Sequence, residues 1–136
     1  MKPIGLKPEL CCTNLEKSLA FYVGVLGFKI LYRREEEKFA FLEKGNAQIM
    51  LEEIGVGRNW ITGKLEHPFG RGINFQIEVE DVAELYKTIQ QNNIEIFMPM
   101  EEKWYGKNSN IVGNKQFITQ DPDGYLLRFY QDLGIK

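Results

Sequence analysis

The run Ile73-Asn74-Phe75-Gln76-Ile77-Glu78-Val79, followed at once by Glu80-Asp81-Val82-Ala83-Glu84-Leu85, decides how this chain folds. Ile73, Phe75, Ile77 and Val79 alternate with Asn74, Gln76 and Glu78, the period of a strand buried on one face. The period then changes. Val82, Leu85 and Ile89 fall at helical spacing, and Asp81 with Glu84 three residues on supplies the helix start. Asn92-Asn93 breaks the helix, and extended stretches follow at Ile94 to Met98, Lys115 to Gln120 and Tyr125 to Gln131. Asp121-Pro122-Asp123-Gly124 is a hairpin turn between the last two.

The same order occurs upstream. Leu10-Cys11-Cys12-Thr13 reads as a strand, and Leu15, Leu19 and Tyr22 mark a helix that Gly27 ends. Thr13 with Glu16 has the form of a capping box. Phe28 to Tyr32, Lys38 to Glu43 and Ala47 to Glu53 are extended, with Gly45-Asn46 as the turn. Each half is therefore β-α-β-β-β, and the chain reads as a duplication within one α+β domain. Module one covers about residues 5–53 and module two about 72–132, with a glycine-rich linker between them at about 54–71. A second irregular stretch is expected at Pro99 to Gly113, and long irregular segments in a compact domain tend to carry function.

Composition excludes several classes. With 17 basic and 19 acidic side chains the net charge is −2, so there is no basic face for nucleic acid. No apolar run approaches the ~20 residues of a membrane-spanning helix, and Met1 to Pro8 lacks the apolar core of a signal peptide. The adjacent pair Cys11-Cys12 is no disulfide scaffold, and a reduced, cytoplasmic setting is expected. Walker-type phosphate loops, a Ser-His-Asp set and a zinc-spaced Cys/His array are all missing from the sequence.

Thr13-Asn14-Leu15-Glu16-Lys17-Ser18-Leu19-Ala20-Phe21-Tyr22 with Leu26-Gly27-Phe28 resembles the first-module signature of the vicinal oxygen chelate superfamily, the glyoxalase, bleomycin-resistance and dioxygenase group. Asp121-Pro122-Asp123-Gly124-Tyr125-Leu126-Leu127-Arg128-Phe129 resembles its closing hairpin. The resemblance implies paired modules whose sheets curl into a cup with the helices outside, often completed across a homodimer. It also implies metal-ligand positions on the first and last strand of each module, which fall here at Lys7 or Pro8, Met50, Asn74 and Arg128. None is an imidazole or a carboxylate, so neither a metal nor another cofactor is expected.

The linker stretch from His67 to Gly72, with Trp104-Tyr105 and Gly113 to Phe117, resembles the metal-free bleomycin-resistance branch. Trp60, Trp104 and Tyr105 are the expected aromatic contacts of a ligand, with Met50, Asn74, Gln76 and Arg128 lining the cup. The leading expectation is a binding protein for a bleomycin-like or aromatic molecule. Left open beside it are a glyoxalase-like or dioxygenase-like lyase or isomerase, a thiol transferase using Cys11, and a protein-interaction module.

Overall fold

Alternation and helical period compete along this chain, and in the computed structural model they resolve in the order expected. The structure describes residues 4–57 and 60–136. The first three residues of the N-terminal stretch and residues 58 and 59 of the linker lie outside them. Two compact units result: Met1–Phe69 with Pro122–Gly124, and Gly70–Asp121 with Tyr125–Lys136.

The first unit runs β1 (Glu9–Cys12), α1 (Leu15–Leu19), β2 (Lys29–Arg34), β3 (Phe39–Lys44) and β4 (Ala47–Glu53). A π-helical stretch at Ala20–Val25 prolongs α1 until Gly27, at φ 83°, ends it. The sheet order is β1-β4-β3-β2. Leu10, Cys12, Ala40, Leu42, Ile49 and Leu51 are buried on one side of it, together with Leu15, Leu19, Tyr22 and Leu26 of the helical stretch.

The second unit repeats the plan with β5 (Asn74–Glu78), α2 (Val82–Gln91), β6 (Ile96–Lys107), β7 (Asn110–Gln120) and β8 (Leu126–Ile135), in the order β5-β8-β7-β6. Ile77, Leu127, Phe129 and Phe117 are buried with Val82 and Ile89 of α2. In both units the first strand pairs parallel with the last: β1 with β4, and β5 with β8. No helix among the described residues is long and apolar enough to cross a membrane.

The last strand of each unit also caps its helix. Glu53 Oε1 accepts the Leu15 N–H at 2.8 Å, and Gln131 Oε1 accepts the Val82 N–H at 3.1 Å. Both N–H groups belong to the first turn, which has no partner inside the helix. This shared device is a further mark of duplication, because no local sequence rule demands it.

Two expectations need correction. The α1 cap is Asn14, whose Oδ1 accepts the Lys17 N–H at 3.1 Å, and not Thr13. The Thr13 hydroxyl is committed to Asp123 Oδ1 at 2.6 Å and its N–H to Asp123 Oδ2 at 3.2 Å, and a carboxylate outcompetes a local cap. The stretch from Pro99 to Gly113 is not irregular. It is a long hairpin of β6 and β7, turning at Asn108, which has φ 57°. Backbone pairing holds it, from Lys107 opposite Asn110 to Glu101 opposite Gln116, so its exposed polar side chains show no hydrophobic alternation.

The turn Pro122–Gly124 belongs to the first unit, where the Phe69 N–H also donates to the Asp123 carbonyl at 2.8 Å. Gly124 has φ 102°, and a Cβ there would lie 2.5 Å from Pro68 Cβ and 2.6 Å from Pro68 Cα. Gly124→Ala is therefore expected to cost about 2–4 kcal/mol, from left-handed strain plus a backbone clash. Asp123→Ala should cost about 1.5–3 kcal/mol by removing the acceptor of two hydrogen bonds. Urea unfolding of both variants checks this, and midpoints equal to the parent's would show that the turn is not required.

Candidate functional site

On the first sheet, the face opposite α1 is where chemistry can occur. Register places Glu9, Met50, Phe41 and Tyr32 in one row across all four strands, and Cys11, Glu52, Phe39 and Arg34 in the next. The Tyr32 ring stacks on Phe41 with centroids 5.3 Å apart and lies 6.0 Å from Phe39. Phe39 and Phe41 are buried, while Tyr32 keeps 48% of its surface exposed. Cations flank the rings: the Arg34 guanidinium is 4.1 Å from the Phe39 centroid, and Lys7 Nζ is 5.8 Å from that of Phe41. Arg34 Nε in turn donates to Glu37 at 2.8 Å.

Tyr32 reaches this face through a bulge. Ile30 pairs with Leu42 and Tyr32 with Phe41, so two steps along β2 match one along β3. The extra residue, Leu31, sends Tyr32 to the side opposite Ile30. Sequence reading missed Tyr32 for this reason, and it missed Phe39 and Phe41 as well. Only the alternation of Phe39 and Phe41 with Ala40 and Leu42 could have signalled them.

The face of the second sheet opposite α2 is polar. Gln76 lies opposite Arg128 and accepts a hydrogen bond from Arg128 Nη2 at 3.2 Å. Glu78 lies opposite Tyr130, whose hydroxyl is 3.5 Å from Glu78 Oε1. Burial, then the charge and hydrogen bond of Glu78 and the charge of Asp132, raise the Tyr130 phenol above its ordinary pKa, against a smaller lowering by Arg128. Further along the face, Gln116 Nε2 donates to Glu101 Oε1 at 3.1 Å and to the Tyr105 hydroxyl at 3.2 Å.

The structure therefore brings Gln76, Arg128 and Tyr105 onto one face, with the exposed Asn74 two residues before Gln76 on β5. Met50 belongs to the aromatic row of the first sheet. Trp60 is 74% exposed in the segment after β4. Trp104 points to the side opposite its neighbour Tyr105 and covers Gly113, where a Cβ would lie 2.5 Å from the indole. This indole therefore packs on its own hairpin, and Lys136 Nζ, beyond the end of β8, sits 4.6 Å from its centroid. A cleft of about 520 Å³ beside the start of α1 is lined by charges that already pair, Arg33 with Glu16 at 2.7 Å and Lys38 with Glu53 at 3.5 Å.

The positions implied for metal ligands fit no divalent ion. In the first unit Lys7 is a cation over a ring and Met50 offers a thioether. In the second, Asn74 is an amide and Arg128 a hydrogen-bonded guanidinium. No group of three or more His, Cys, Asp or Glu among the described residues is arranged to hold a metal.

Residues 6–129 match the Glyoxalase/Bleomycin resistance protein/Dioxygenase superfamily, and the chain belongs to it. It is 27% identical over 137 residues to the bleomycin resistance protein of Geobacillus stearothermophilus, covering 93% of this chain and 95% of that one. It is 30% identical over 122 residues to a lactoylglutathione lyase of Neisseria meningitidis, covering 87% and 83%. Identity reaches 33% over 132 residues with glyoxalase domain-containing protein 4 of Rattus norvegicus, but the chain spans only 40% of that protein's length. Among solved structures, TioX from Micromonospora sp. ML1 shares the fold with a TM-score of 0.72 at 21% identity, covering 94% and 98% of the two chains.

Cys11 is half-buried and stands in register with Glu52. Burial first, then the negative charges of Glu52 and Glu9, raise its thiol pKa. A raised pKa keeps the unreactive thiol form through neutral pH. Iodoacetamide should therefore alkylate Cys11 more slowly than free cysteine at pH 7.5, with the rate climbing only under alkaline conditions, and Glu52→Gln should accelerate it. Peptide mass spectrometry over a time course reads this directly. Rapid labelling at pH 7.5 would favour the thiol transferase instead.

Proposed function

We propose that this chain is a metal-free small-molecule-binding protein of the bleomycin-resistance type, cytoplasmic and homodimeric, which sequesters an aromatic ligand. The observation that carries the reading is the stacked Tyr32–Phe41 pair beside Phe39 on the face of the first sheet, with half of Tyr32 left open. Such a platform offers stacking area at low side-chain entropy cost, and the flanking Arg34 and Lys7 favour electron-rich rings. The second unit, taken by itself, offers Gln76, Arg128 and Tyr105 as hydrogen-bonding groups for a polar ligand. Bleomycin resistance relatives align with nearly the full chain, which supports the branch.

The lactoylglutathione lyase relative favours a second reading, an isomerising lyase. Against it stands the chemistry at Lys7, Met50, Asn74 and Arg128, where a metal-dependent relative would need imidazole or carboxylate ligands.

Self-association is supported by open sheet edges. The edge strands are β1 and β2 of the first sheet and β5 and β6 of the second, and Ile30 and Leu31 on β2 and Phe97 on β6 expose 38%, 44% and 56% of their surface. Exposed apolar edges invite pairing with a second copy. Light scattering at micromolar concentration should give twice the chain mass of 15.8 kDa. A monomer mass there would remove the dimer from this reading.

Bleomycin titration followed by Trp fluorescence tests the namesake ligand, and saturable quenching that survives dialysis against EDTA is expected. Tyr32→Ala should weaken binding by about 1–2 kcal/mol, roughly tenfold, through lost stacking. Trp60→Ala should cost about 2 kcal/mol if that exposed indole anchors the ligand. A fluorescence change appearing only in the presence of added Ni or Zn would instead support the lyase.

A further inference from the structure

Gln116 is 97% buried by its 3% exposure, and its carbonyl Oε1 has no hydrogen-bond partner. The amide orientation follows from chemistry. Glu101 Oε1, as a carboxylate oxygen, can only accept, so the Gln116 group 3.1 Å from it is the NH₂, and that same NH₂ also reaches the Tyr105 hydroxyl. Both donors are spent on these neighbours, and the acceptor is left over. A buried acceptor without a partner costs about 1–3 kcal/mol, so it is retained where something else supplies a donor.

A complementary group lies on the same face of the sheet. Arg128 Nε–H is also buried and unpartnered, while Nη2 of the same guanidinium donates to Gln76 Oε1. On β8, Tyr130 stands opposite Gln116 and Arg128 opposite Ile118. Gln116 and Arg128 are thus diagonal neighbours on one face, about 7–8 Å apart at the backbone. One unused acceptor and one unused donor thus belong to neighbouring residues of one sheet face, each buried, where each counts for more than in water.

We propose that Gln116 and Arg128 together read the edge of a carboxamide or lactam on the ligand. The ligand's carbonyl oxygen accepts from Arg128 Nε–H, and its syn N–H donates to Gln116 Oε1. Tyr105, fixed through Gln116 Nε2 and 36% exposed, borders the site with an aromatic ring, so an aryl carboxamide is the matching class. Asn74, Gln76 and Glu78 continue the polar row along β5. This inference rests on the small-molecule-binding reading and specifies the polar group recognised by the second sheet.

Benzamide and N,N-dimethylbenzamide separate the two hydrogen bonds, because the second retains the carbonyl and lacks the N–H. Titrations of the full chain are followed by NMR on the Gln116 side-chain NH₂ and the Arg128 Nε–H signals. Benzamide should move both signals and bind about tenfold more tightly than its dimethyl analogue, the worth of one hydrogen bond. The analogue should still move Arg128 Nε–H. Gln116→Met should abolish the preference between the two amides. Equal affinity for both compounds in the parent protein, or shifts that miss both side chains, would overturn the proposal. The comparison within the parent protein decides the matter even if Gln116→Met fails to fold. Bleomycin titration judges the broader binding reading separately, so saturable bleomycin binding alongside equal amide affinities would reject this site alone.

Discussion

Everything in each unit hangs on the parallel pairing of its first strand with its last. β1 lies against β4 and β5 against β8, and parallel neighbours cannot be joined by a tight turn. The chain must leave the sheet and return, and a helix is the economical way to do so while covering the apolar face. That requirement accounts for the position of α1 and α2 directly after the first strand. It also accounts for the capping residues: Glu53, the last residue of β4, and Gln131, within β8, come level with the start of the helix and satisfy its open N–H groups.

Once a helix covers one side of each sheet, the other side is free to differ, and the two units have used that freedom in opposite ways. The first sheet collects Phe39, Phe41 and Tyr32 with cations at the margin. The second collects amides, a guanidinium and two phenols, tied by hydrogen bonds from Arg128 to Gln76 and from Gln116 to Glu101 and Tyr105. Duplication preserved the backbone plan because the buried apolar side admits few alternatives. The open sides carried no such packing constraint and diverged into a stacking surface and a hydrogen-bonding one.

The positions that the sequence resemblance implies for metal ligands carry other chemistry. Lys7 places positive charge over Phe41, and Arg128 spends its guanidinium on Gln76. A cation at such a position repels a divalent ion and favours an electron-rich ring or a carbonyl. Cys11 is held in its thiol form first by burial and then by the negative charges of Glu52 and Glu9.

Sequence periodicity determined the element order, the Asp81 helix cap, the Gly45 and Gly124 turns and the identity of the buried strands, because these depend on neighbours a few residues apart. The polar row of Asn74, Gln76 and Glu78 was legible for the same reason, and Arg128 followed from the closing hairpin. What tertiary structure alone decided involves partners far apart in the chain. Thr13 lost its capping role to Asp123, 110 residues away, and the bulge at Leu31 turned Tyr32 onto the aromatic face. The hairpin carrying Trp104 and Tyr105 is held by backbone ladders that leave no mark on side-chain hydropathy, so it read as a loop. Gln116 gave no signal as a single polar residue in a strand, and it became a candidate only when Glu101 and Tyr105 were seen to consume its donors and leave its carbonyl oxygen buried.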